Sequence, residues 1–188
     1  MKNLFVTIFL LLMPIETSAA ETPFYQGKTI RIIVGYQPGD NHDQWARTYA
    51  RFLGKHIPGN PTVVVENMTG AVGMIAANYV YNVSKVDGLT LLAPIKSIYF
   101  DQIVERKEVQ FDVRKFEWIG TQEKTPIMLY MRTDAPYKSI ADIIKASEPP
   151  RCGSTGTAST GYILAKVLEE TIKAKLVNVT GYQGGSEI

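Results

Sequence analysis

The feature that most constrains this chain is a repeated change of period. Thr29 to Tyr36 (TIRIIVGY) is a β-branched run stopped by Pro38 and Gly39, the pattern of a buried strand that ends in a turn. From Asp43 to Ile57 the period lengthens. Trp45, Tyr49, Phe52, Leu53 and Ile57 recur at helical spacing, and Arg47, Arg51 and Lys55 recur every four residues on another face. That spacing predicts an amphipathic helix whose aromatic residues pack inward on the strand.

The switch repeats along the chain. Thr62–Glu66 reads as a strand, 74–83 as a helix after Gly70 and Gly73, and 89–95 as a third strand behind the Asp87-Gly88 turn. Lys96 to Lys115 is mixed and charged, an irregular connection with one short helix. Phe116–Gly120 and Ile127–Arg132 read as strands on either side of a polar stretch, and the boundary between two lobes is placed near Glu123. Beyond it Ser139 opens a helix as N-cap, with Asp142 at capping-box spacing and Pro149-Pro150 past its end. Arg151–Ser154 is a short strand, Ile163, Leu164, Val167, Leu168 and Ile172 form the stripe of another helix, and 176–179 is the last strand. Alternating strands and helices predict α/β architecture with mostly parallel sheets.

Composition narrows the class. Twenty Lys+Arg against 18 Asp+Glu leave a net charge of +2 spread along the chain, so no nucleic-acid partner is implied. One cysteine, Cys152, cannot form an internal disulfide, and it reads as a small apolar residue beside a strand. At the N-terminus Lys2 precedes a ten-residue apolar run from Leu4 to Met13, followed by Pro14 and small residues through Ala20. This run is far shorter than the ~20 residues of a membrane span. It predicts a signal peptide over residues 1–20, cleaved near Ala20, and an exported protein.

In open α/β sheets, ligands sit beyond the carboxyl ends of strands, where helix N-termini present free N–H groups. Two strand-to-helix loops qualify: Tyr36 to Asp43, and the glycine- and hydroxyl-rich Gly153 to Gly161. The second can bring several donors to one point, as an oxyanion requires, or it is a turn with an ordinary Ser/Thr cap. Gly156 and Gly161 have P-loop spacing, but Tyr162 and Ile163 stand where that motif needs Lys and Ser/Thr, which excludes nucleotide hydrolysis. Ser159 sits in a partial nucleophile elbow, with Thr157 in place of its first glycine and only His42 and His56 in the chain. The catalytic and metal sets are therefore empty, and Asp40, Asn41 or Asp43 is expected to cap the first helix.

In order, KTIRIIVGYQPGDNHD, PTVVVENMTGAVGMIAANYVYN, DGLTLL, SIADIIKAS, CGSTGTASTGYILAKVLEE and VTGYQGGSEI resemble the substrate-binding proteins of tripartite tricarboxylate transporters, the Bug-type receptors. The resemblance implies a two-lobed periplasmic binding protein of the type II fold: a signal peptide (1–20), lobe 1 (21–122) and an incomplete lobe 2 (123–188). It implies a monomer without cofactor that captures a small di- or tricarboxylate and delivers it to two integral-membrane subunits. Carried over, the ligand contacts are Tyr36, Pro38, Gly39, Asp40, Asn41 and Asp43 from the first loop. Ser154, Gly156, Thr157, Ser159 and Thr160 serve from the second, with Ser97 and Tyr182 as further wall. Three departures stand out: Asp40-Asn41 where the family usually has Gly-Gly, Tyr162 where it commonly has His, and family chains that continue past Ile188, which implies a longer parent. A secreted hydrolase using Ser159 and a ligand-sensing module for a membrane partner are the competing readings.

Overall fold

The computed structural model describes residues 21–121, 127–184 and 187–188; the expected signal peptide and the lobe boundary near Glu123 lie outside them. Two parallel sheets organise the chain. The first has the order β2-β1-β3, built from β1 (Thr29–Val34), β2 (Thr62–Asn67) and β3 (Thr90–Ala93). The second pairs β4 (Arg151–Gly153) with β5 (Val177–Val179). All pairings are parallel, as the alternation predicts.

β1 is the central strand because it is the most apolar. Ile33 and Val34 are fully buried and Ile30 and Ile32 nearly so. The helices α1 (Asn41–Leu53) and α2 (Met74–Asn82) cover this sheet, and Ala46, Met74 and Ala77 join β1 in one core with Ile95, Ile98 and Phe111. A short helix α3 (Ile98–Ile103) and a 3₁₀ turn at Val113–Lys115 fill the connection that the sequence marks as irregular. In the second sheet's half, α4 (Ile140–Lys145) starts at Ser139, whose hydroxyl accepts from the Asp142 N–H. α5 (Thr160–Ile172) starts at Ser159 and ends in a left-handed Lys173.

Two expectations are corrected. Trp45, Tyr49 and Phe52 do not pack in the core; they are 42%, 44% and 47% exposed along the outer face of α1. The residues that face the sheet are the smaller Ala46 and the buried Asp43, while Arg47 folds back onto Asp43. The helical period holds, but the stripe that meets the sheet is Asp43, Ala46 and Ala50, beside the aromatic one. Likewise Phe116–Gly120 and Ile127–Arg132 are not strands. A strand exists only through its ladder, and neither segment has a pairing partner among the described residues, so Ile119, Met128 and Tyr130 are left 83%, 73% and 86% exposed.

Candidate ligand-binding site

A cavity of about 430 Å³ opens between the carboxyl ends of the two sheets, within the range that holds a small ligand. Its first wall is the end of β1: Gly35, Tyr36 and Gln37. Tyr36 is 5% exposed, and its ring stacks on His42 at 4.2 Å between centroids with an interplanar angle of 7°. Burial, reinforced by Asp40, holds the phenol protonated well above its usual range, although a hydrogen bond with Thr155 opposes this.

The loop after Tyr36 is fastened from beneath by Asp43. This carboxylate, 1% exposed, accepts from the Gly39 N–H and Arg47 Nε at 2.8 Å each, and from Asn67 Nδ2 at 2.8 Å. Asn67 Nδ2 also donates to the Tyr36 carbonyl at 2.9 Å. Burial would raise the Asp43 pKa, but these donors outweigh it and hold the group below the ordinary range. Asp40 is the N-cap of α1: its Oδ1 accepts from the His42 N–H at 2.9 Å and meets His42 Nδ1 at 2.8 Å. At 4% exposure it lies against Gly184, where a Cβ would stand 2.5 Å from Asp40 Oδ2. Asp40 is therefore not among the residues that line the cavity, and its carboxylate is engaged by the start of α1.

The second wall is a turn that sequence reasoning missed. Gly70, Ala71, Val72 and Gly73 have φ of 127°, 46°, 55° and 87°, four consecutive residues on the positive side. A β-branched residue at φ 55°, ψ 40° is strained, at a cost of about 1–3 kcal/mol. The turn is held because the chain must pass β1 closely: a Cβ on Gly35 would stand 2.4 Å from the Gly73 Cα. It leads straight into the N-terminus of α2, which faces the cavity through Met74. The signal available in the sequence was the Gly70–Gly73 bracket just before a helical period.

The third wall is the β4–α5 loop. Four consecutive residues each meet a different part of the first sheet's half. Thr155 bonds the Tyr36 phenol, and Gly156 packs on Val72, where a Cβ would come within 2.7 Å of a methyl. Thr157 accepts from Arg106 Nη1 and Nη2 at its hydroxyl and carbonyl, 3.2 and 2.9 Å away, and Ala158 O accepts from the buried Ser97 hydroxyl at 2.8 Å. Arg106 is steadied by Asp101, with Nε 2.8 Å from Oδ1, a charge contact outside hydrogen-bond geometry. Gly181, Tyr182 and Gln183 close the remaining side.

Of the residues expected at the site, Tyr36, Gly156, Thr157 and Tyr182 line this cavity. Ser97, Asp40 and Asp43 stand behind its walls as supports. Pro38, Gly39 and Asn41 are exposed on the first loop away from the lining. Ser154 is 2% exposed, with its N–H on the Val179 carbonyl and its hydroxyl unpartnered among the described residues. Ser159 caps α5: its hydroxyl donates to Gly156 O at 2.7 Å and accepts from the Tyr162 N–H at 3.3 Å. Thr160 is the first residue of that helix and Tyr162 lies in its first turn, neither on the cavity surface. Ser159 thus caps α5, while Thr155, Gly156, Thr157 and Ala158 of the same loop line the cavity.

The family described as the Tripartite tricarboxylate transporter family receptor matches residues 46–188. The chain belongs to that family. A UPF0065 protein from Bordetella bronchiseptica is 23% identical over 171 residues, which cover 89% of this chain and 50% of the relative. The structure described as a periplasmic transporter superposes with a TM-score of 0.67 at 23% identity over 87% of this chain and 55% of its own. Rpa4515 of R. palustris, solved with adipate, gives 0.58 at 21% identity over 86% and 54%. The chain thus spans about half the length of the receptors it matches, and it has their α/β periplasmic-binding-protein fold over that span.

Proposed function

We propose that the cavity is the ligand site of a periplasmic solute receptor that captures a small organic acid between two lobes, residues 21–122 and the chain from 123 onward. A di- or tricarboxylate or a related acid would then pass to the two integral-membrane subunits of a tripartite tricarboxylate transporter. The receptor acts as a monomer, exported by the signal peptide and without a cofactor. The observation that carries this reading is the make-up of the walls: Gly35–Gln37 past β1, the 69–72 turn and the 155–158 loop, small and polar residues whose backbone a carboxylate can approach, meet at one cleft of ligand size. Such donors stabilise a carboxylate without a dedicated arginine clamp. The adipate held by the R. palustris relative supports a dicarboxylic acid as the first choice.

A hydrolase finds no support beside this. The Ser159 hydroxyl is spent on its own loop as a helix cap, and His42, at the start of α1, is engaged by Asp40 and Tyr36. The test is thermal unfolding of the protein with a panel of small carboxylates and amino acids. A true ligand at 100 times its Kd adds about 2.7 kcal/mol of stability. A cooperative transition that no acid in the panel moves overturns the assignment.

A further inference from the structure

Two side chains of opposite charge, Arg106 and Glu108, are the only charged residues lining the cavity among those described. They are not equally available. Two of the five N–H groups of Arg106 donate to Thr157, its Nε is buried against Asp101 in a charge contact, and the Asp101 carboxylate already balances its charge. With the Nε–H buried, one N–H on each of Nη1 and Nη2 remains for a ligand. Glu108 is exposed, and its carboxylate has no hydrogen-bond or ion-pair partner among the described residues. Its backbone, by contrast, is fixed. Asn78 of α2 donates to the Glu108 carbonyl at 2.9 Å and accepts from the Gln110 N–H at 2.9 Å, so the turn that carries Glu108 is pinned to α2. Glu108 is close enough to Asp101 to oppose its ionisation, which adds to the burial that already raises that group. Lys107, between the two, is not part of the lining.

The charge balance of the wall follows from these positions. Arg106 with Asp101 is neutral, and Glu108 adds one uncompensated negative charge. An acid with several carboxylates would bring like charge to that side, whereas an ammonium would complete it.

We propose that Glu108 is a specificity-determining residue and that the cavity takes an amino-bearing acid: the carboxylate on the N–H groups of the loop walls and Arg106, the ammonium on Glu108. This rests on the reading of the cavity as a small-acid site.

The experiment compares matched pairs by calorimetry with the full chain: aspartate against succinate, and glutamate against glutarate. The wild type is expected to bind the amino member at least 10-fold tighter. Glu108→Gln, an exposed substitution that leaves the fold intact, is expected to level the pair by weakening the amino acid and leaving the plain diacid unchanged or tighter. A wild type that prefers the plain diacid overturns the proposal, as does a variant that weakens both members equally. If no member of either pair binds, and no other acid does, it is the receptor reading that fails.

Discussion

The Ser97 hydroxyl donates to the Ala158 carbonyl at 2.8 Å, across 61 residues of sequence and with both residues nearly sealed from solvent. It joins the residue before α3 to the loop before α5, so it ties the two halves of the chain at the back of the cavity. Removing the donor strands a buried carbonyl. Ser97→Ala is expected to lower stability by about 1–3 kcal/mol, read as a shift in the denaturant midpoint at unchanged slope, while a conservative Thr that keeps the hydroxyl recovers part of it.

Gly35 leaves no room for a side chain. Its Cβ would fall 2.4 Å from the Gly73 Cα, and backbone on both sides cannot swing away. Gly35→Ala should therefore displace the 70–73 turn and cost about 1–3 kcal/mol. Limited proteolysis should show new cleavage at that turn, and an unchanged digestion pattern would contradict the packing described.

Asp43 predicts an acid limb in stability. Its folded pKa lies below the ordinary value of about 3.9, so its contribution is complete above that value and disappears as pH falls through the folded one. Asp43→Ala removes the acceptor for Gly39, Arg47 and Asn67 and should cost about 1.5–3 kcal/mol near neutrality. Melting curves should keep a constant gap between wild type and variant from pH 7 to about 4 and draw together only as pH falls further toward the folded value; a gap that narrows already above pH 5 would mean that another group titrates.

Ser159 separates a cap from a nucleophile. Ser159→Ala should cost about 0.5–2 kcal/mol through loss of the α5 cap, and Ser159→Asp, which can accept from the first turn but cannot donate to Gly156 O, should restore only part of it. Ester turnover in the wild type that vanishes in both variants would instead favour the hydrolase.

The strand–helix switch was legible because β-branched runs and helical stripes are local signals. Thr29–Val34, α2, α5 and the Ser139 cap follow from a few neighbouring residues. The orientation of α1 was not legible, since an aromatic stripe of the right period looks the same whether it faces a sheet or solvent; the buried Asp43 decides it, and its partners come from Gly39 and Asn67. The strands expected at 116–120 and 127–132 carry the right residue types, but pairing is a long-range property that composition does not encode. At the site, glycine and hydroxyl content pointed to the 153–161 loop, of which residues 155–158 line the cavity. Arg106 and Glu108 were hidden because they arrive from a charged connection with no motif, placed by Asn78 and Asp101 at a distance in sequence.

The 155–158 loop meets the phenol of Tyr36, the methyl of Val72, the guanidinium of Arg106 and the hydroxyl of Ser97 one residue at a time. Each contact is a separate pair with its own chemistry. A substitution at one position can be answered by its single counterpart while the other three hold the register, so this cleft can drift toward a new solute in small paired steps without ever losing its alignment.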